Sequence, residues 1–207
     1  MKSSKPAHFA TRPLGHPSLP GRRAALGQWT AGLLACGPAW AWAADDAATF
    51  DEQSILKEAT EFFGKTTEGL AKVIEKAFKE QGRPNAYIVG EEVSVALSVG
   101  VRYGDGRLTM KSGATQRVYW AGPSIGFDVG ADASKVFTLV YQLPSPEAIF
   151  QRYPGVEGSL YYIGGVGINY QRLDGVTLAP IRLGVGLRTG ASVGYVHYRR
   201  EKSLNPL

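Results

Sequence analysis

Gly122-Pro123-Ser124-Ile125-Gly126 has the G-x-S-x-G spacing that presents a serine nucleophile in many hydrolases, and Asp174 and His197 follow in the order of a hydrolase triad. That chemistry needs a strand, a tight turn and then a helix to lift the serine hydroxyl clear of the backbone. Here Phe127, Asp128 and Val129 continue a strand-like run, and strands alternate with helices nowhere in the chain. Glu91-Glu92 could pair as acid and base with a distant partner, but neighbours on a strand face opposite ways. The pair reads instead as a strand boundary. His197 has no cluster of His, Cys or carboxylates around it in sequence, so it reads as a lone surface histidine with no metal. Gly184, Gly186 and Gly190 miss the dinucleotide spacing and open no helix. No catalytic residue, metal or cofactor is expected.

The one cysteine, Cys36, lies in a leader with its own chemistry. The first 43 residues hold five basic side chains (Lys2, Lys5, Arg12, Arg22, Arg23) and no acid. An apolar run from Ala24 to Cys36 follows them, then Gly37-Pro38 and Ala41-Trp42-Ala43. These are the basic, apolar and cleavage regions of a secretory signal, and small residues at Ala41 and Ala43 suit signal peptidase. The run is shorter than the roughly 20 residues that span a bilayer. A signal peptide over 1–43, cut after Ala43, is the expectation, and the periplasm is the destination. Leu33-Leu34-Ala35-Cys36 also resembles a lipoprotein box, so lipidation at Cys36 is the alternative. Arg22-Arg23 leaves the general secretory and twin-arginine routes both open.

Residues 44–207 carry 18 basic and 18 acidic side chains, so the basic character of the whole chain belongs to the leader and gives no argument for nucleic acid. Without the leader there is no cysteine, which excludes disulfides and thiolate chemistry. The 164 residues suffice for one core.

The elements follow from hydrophobic period. Residues 44–84 read as an acidic linker and an amphipathic helix over 51–81, with Ile55, Leu56, Ala59, Phe62, Leu70, Val73, Ile74 and Ala77 on one stripe. Thr49 and Glu52 fit a capping box, and Gly82 with Pro84 gives the stop. Gly64 and Gly69 weaken the middle, so a bend or split is expected there. Lysines and glutamates mix on the opposite face, which favours a solvated surface over a membrane-binding one.

From Asn85 the period becomes two. Val93 to Tyr103 reads as one strand, turned back by Gly104-Asp105-Gly106 into 107–111. Further strands are expected at 116–120, 124–129, 135–142, 159–171, 176–182 and 183–198, with a hairpin at Asp174-Gly175 and a helical hint over 145–152. Glycine recurs inside strand-like runs, which implies sharp bending, bulges or close backbone approach. A small, strongly curved antiparallel barrel over 85–207 meets those demands. Tyr119, Trp120, Tyr141, Tyr162, Tyr170, Tyr195 and Tyr198 read as core and strand-pair packing, with an aromatic-lined ligand mouth as the alternative.

Six runs, in this order, resemble the envelope integrity protein A (EipA) family: YIVGEE at 87–92, VYWAGPSIGFD at 118–128, LVYQLP at 139–144, GGVG at 164–167, APIR at 179–182 and GVGLR at 184–188. The likeness covers about 85–207. It implies a small periplasmic barrel of about ten antiparallel strands with a role in envelope maintenance, linked to outer-membrane polysaccharide and stress resistance, and it brings no catalytic residues. The leading expectation is a non-catalytic periplasmic protein that supports envelope integrity by binding an envelope component, whether protein, lipid or polysaccharide, with peripheral membrane association and no nucleic acid. A lipid- or glycolipid-binding module, faintly similar to SYLF domains, is the alternative, followed by an integral outer-membrane barrel.

Overall fold

A computed structural model describes residues 48–96, 98–126, 134–183 and 194–203. The leader, with Cys36, Ala41 and Ala43, lies outside them. The helical stretch expected over 51–81 splits, at the glycines where a bend or split was expected, into α1 (Glu52–Phe63) and α2 (Glu68–Gln81). Gly64 explains the break: at φ 76° it adopts the left-handed conformation that ends a helix and donates its N–H to the Thr60 carbonyl. Thr67 then starts α2 by accepting from the Leu70 N–H at 3.1 Å. The cap of α1 is Asp51, which accepts from the Ser54 N–H at 2.9 Å and the Ser54 hydroxyl at 2.6 Å, so the Thr49–Glu52 capping box is replaced by a cap two residues later. Gly69 serves a different end. A methyl group there would lie 2.5 Å from the Ile163 carbonyl oxygen, so its absence lets α2 lie against that strand turn.

Ten antiparallel strands follow: β1 (Ala86–Ala96), β2 (Ser98–Met110), β3 (Thr115–Gly126), β4 (Ser134–Tyr141), β5 (Arg152–Pro154), β6 (Tyr161–Ile163), β7 (Val166–Ile168), β8 (Gln171–Leu173), β9 (Val176–Leu183) and β10 (Tyr195–Arg199). Their order is β5-β10-β3-β2-β1-β4-β9-β7-β6, with β8 also on β9. The sheet curls into a half-barrel, and its ends meet at one bridge, Gly155 to Gln171, with the Val156 N–H donating to the Tyr170 carbonyl at 2.9 Å. Pro180, which has no N–H to give, sits in β9 between the residues that pair with β8 and those that pair with β7.

Several strand boundaries differ from expectation. Val93 to Tyr103 is not one strand. β1 runs to Ala96 and β2 returns from Ser98 in an unbroken register that pairs Val95 with Val101 and Glu92 with Gly104. Gly104-Asp105-Gly106 is therefore strand, not turn; its glycines answer to packing. Residues 116–120 and 124–126 join in β3, while 159–171 splits at Gly164-Gly165, both with positive φ, into β6 and β7. The hairpin at Asp174-Gly175 forms as expected. The helical hint over 145–152 becomes a single 3-10 turn, Pro146–Ile149. Residues 127–129 and 184–193, read as strand, lie outside the described residues.

The core has two layers divided by the sheet. On the outside, Ile55, Ala59, Leu70, Val73, Ile74 and Ala77 of the helices pack against Phe137 and Leu139 of β4 and Ile181 of β9. On the inside, Val136 and Val140 point the other way, to meet Ile88, Leu108, Val118, Leu178 and Tyr153. β4 and β9 are buried on both faces, which is why their sequences read as nearly continuous apolar runs. Each fully buried Leu or Ile contributes about 1.5–3 kcal/mol. β5 to β8 have three residues each, far below the roughly 9–11 that cross a bilayer.

Candidate functional site

The barrel interior is apolar at the end near Ala86 and charged at the other. Glu92, Arg102 and Arg182 project inward from β1, β2 and β9, and Glu92 is only 5% exposed and Arg102 6%. Arg182 grips the Glu92 carboxylate with both sides of its fork: Nε donates to Oε1 and a terminal nitrogen to Oε2, each at 3.2 Å. Its other terminal nitrogen donates to Asn169 Oδ1 at 3.3 Å, and the Trp120 indole N–H donates to Glu92 Oε2 at 2.8 Å. Burial alone would raise the Glu92 carboxyl, but Arg182 and Arg102 overcome it and hold the group below its ordinary range. The Arg102 Nε atom has no hydrogen-bond partner among the described residues.

Glycine makes this arrangement possible. A methyl group on Gly104 would lie 2.1 Å from the Trp120 ring, and one on Gly90 would lie 2.8 Å from it. The indole lies across bare backbone, which brings its N–H to Glu92. Its far side meets Tyr198 at 5.8 Å between ring centres, and Tyr198 meets Tyr153 edge-on at 5.9 Å.

The outer face of the same strands differs. Helices cover β4, β9, β7 and β6 and the Ala86 end of β1, where Tyr87 donates to Glu58 of α1 at 3.0 Å, but leave β2, β3, β10 and the far half of β1 bare. On that bare side Glu91, Tyr103, Asp105, Tyr119, Arg199 and Lys202 line a groove of about 270 Å³. Arg117 borders it, 2.8 Å from Asp105 and stacked over the Tyr119 ring. Sugar rings, amides and head groups all find partners among tyrosine faces and mixed charges of this kind.

The hydrolase triad is not assembled. Ser124 pairs with Gly100 near one end of the long strands, whereas Asp174 sits on the β8–β9 turn beyond the level of Ala86. Ten residues of β1 separate those levels, about 30 Å at strand rise. His197 lies opposite Ala121 in β10, partly buried, with its Nδ1 accepting from Arg199 Nε at 3.2 Å. Burial, then Arg199 and Arg152, push it below its ordinary value. Glu91-Glu92 is no boundary; it lies in the middle of β1, one carboxylate in the outer groove and the other in the interior. Sequence reasoning missed Arg102 and Arg182 entirely. The available signal was parity: Glu92 falls in step with Ala86, Ile88 and Gly90, and Arg102 in step with Leu108 and Met110, residues of the core face.

Taken together, the curled antiparallel sheet, the bare-backbone seat for Trp120 and the charged interior define a barrel-like β protein with helices on one side. A solved structure of the same class, a beta-barrel-like uncharacterized protein from Brucella abortus, is 38% identical, superposes with a TM-score of 0.70, and covers 78% of this chain and 100% of its own. Residues 48–207 match the family Envelope integrity protein A, and the chain belongs to that family. No curated protein matches it.

Proposed function

We propose that the protein is a non-catalytic component of the bacterial envelope, exported to the periplasm, that supports envelope integrity by holding an envelope component in its outer groove. The family's name supports the envelope role. The signal-like leader supports export. The observation that carries the binding reading is the groove itself, a recess lined by tyrosines and mixed charges on the part of the outer sheet face that the helices do not reach. Tyr103 and Tyr119 supply flat apolar faces, while Glu91, Asp105, Arg199 and Lys202 supply acceptors and donors around them. That combination suits an uncharged or zwitterionic polar ligand better than a strongly charged one.

The test is genetic and local. Deleting the gene sensitises cells to detergent and to cell-wall antibiotics, and an allele carrying Tyr103→Ala and Tyr119→Ala reproduces that sensitivity with normal protein level in the periplasmic fraction. Unchanged growth of the deletion strain under every envelope stress would refute the envelope role. A fully active double-alanine allele would refute the groove.

A further inference from the structure

Among the described residues the charges of the barrel interior do not balance. Two guanidinium groups, Arg102 and Arg182, face one carboxylate, Glu92. Glu92 is committed to Arg182 through two hydrogen bonds and to Trp120 through a third. Among the described residues the remaining group that acts on Arg102, Tyr198, is a neutral phenol that burial pushes further from ionising, and the other partners of the cluster, Asn169 and Trp120, are uncharged. Among the described residues Arg102 therefore shares its one carboxylate, Glu92, with Arg182, and is 6% exposed with its Nε hydrogen unused. An unpaired buried ion costs several kcal/mol, and arginine cannot shed its proton to escape that cost.

Access exists from one side. The Arg182 side chain is 25% exposed although the carboxylate it grips is 5% exposed, so solvent reaches the cluster along its β9 edge. Arg182 has one hydrogen left on each terminal nitrogen after its bonds to Glu92 and Asn169. A planar or tetrahedral oxyanion placed beside Arg102 would take the unused Nε hydrogen and bring the charge of the cluster to zero.

We propose that the charged end of the barrel interior is a binding site for a small oxyanion, a phosphate or carboxylate group, with Arg102 as its principal ligand and Arg182 as the second. The site is distinct from the outer groove and lies on the opposite face of β1, β2 and β3. The same oxyanion chemistry is offered by free phosphate and by the head group of an anionic lipid, and the experiment separates them.

Thermal unfolding of the purified protein is measured in chloride and in inorganic phosphate at matched ionic strength. The expected result is a saturable rise in Tm of roughly 5–10 °C at a hundredfold excess over Kd. Arg102→Gln abolishes the phosphate response, and its Tm in chloride equals or exceeds that of the wild type, because a buried charge with only a share of one carboxylate has been removed. Arg102→Lys keeps the charge without the fork and weakens the response at least tenfold. Phosphate-competed capture of the protein on phosphatidylglycerol vesicles, with none on phosphatidylcholine, assigns the anion to a lipid; a phosphate response without capture assigns it to a free anion. Equal Tm in phosphate and chloride for the wild type would overturn the proposal, as would a fall of several degrees for Arg102→Gln in chloride, which would mean that another part of the chain supplies the missing negative charge.

Discussion

Glu92→Gln is the substitution that weighs the interior most directly. It keeps the shape of the side chain but removes the charge that faces Arg182, and it turns an amide N–H₂ toward one of the two donors that now bind a carboxylate oxygen. Removing one member of a buried pair costs about 3–5 kcal/mol, because the remaining ion stays buried without its partner. For a chain of this length each kcal/mol lowers Tm by about 2–4 °C, so a fall of roughly 10 °C is expected. Trp120 is the only tryptophan beyond residue 43, and it donates to the altered group, so its fluorescence follows the same unfolding event. The pH dependence has a definite sign. The folded Glu92 carboxyl lies below its ordinary value of 4.5, so its stabilisation is complete above that pH and is lost as pH falls through the folded value. The gap between wild type and Glu92→Gln therefore stays constant from neutral pH down to about 5 and narrows below it. Replacing both partners, Glu92→Leu with Arg182→Met, recovers only part of the loss, because Arg102 keeps its charge. A Tm within 2 °C of wild type for Glu92→Gln, on the scale of about 2–4 °C per kcal/mol, would refute the claim that Glu92 and Arg182 form a buried, mutually dependent ion pair. A double mutant no better than the sum of the singles would refute the coupling.

Other substitutions read the remaining contacts. Gly69→Ala should destabilise by about 1–3 kcal/mol in chemical denaturation, despite alanine's better helix propensity, because its methyl group meets the Ile163 and Gly164 carbonyls. Gly104→Ala, which places a methyl inside the Trp120 ring, should cost at least as much and shift the Trp120 emission. Asp51→Ala should lose about 1 kcal/mol by removing the α1 cap. Proton NMR of His197, the only histidine beyond residue 43, should show titration below its ordinary value of 6.5, since burial and two arginines oppose its charge; a midpoint above 6.5 would contradict the geometry.

The helices were legible because their stripe, their stop at Gly82 and the weakness at Gly64 are all local signals. The same local habit misread Gly104-Asp105-Gly106, where Gly104 answers to Trp120, sixteen residues away in sequence and opposite it on β3, and Gly106 to the backbone of Val89 and Gly90 on β1. Glu92 was hidden for a related reason. A carboxylate pair looks like a strand end until the partner strands supply Arg182, ninety residues on, and Trp120. Charge on a core face can be recognised from parity, but its compensation is a property of the closed sheet. The outer groove, too, exists only once β10 lies beside β3.

β10 is inserted between β3 and β5, so the wall is completed by the last strand among the described residues. In a polypeptide that emerges from its amino end, the edges of β3 and β5 stay open until Tyr195 to Arg199 arrive. No amino-terminal fragment can substitute for the whole. A nonsense codon anywhere before β10 would leave a sticky, proteolysis-prone product, and the cell's earliest sign of such a truncation would be the disappearance of the protein.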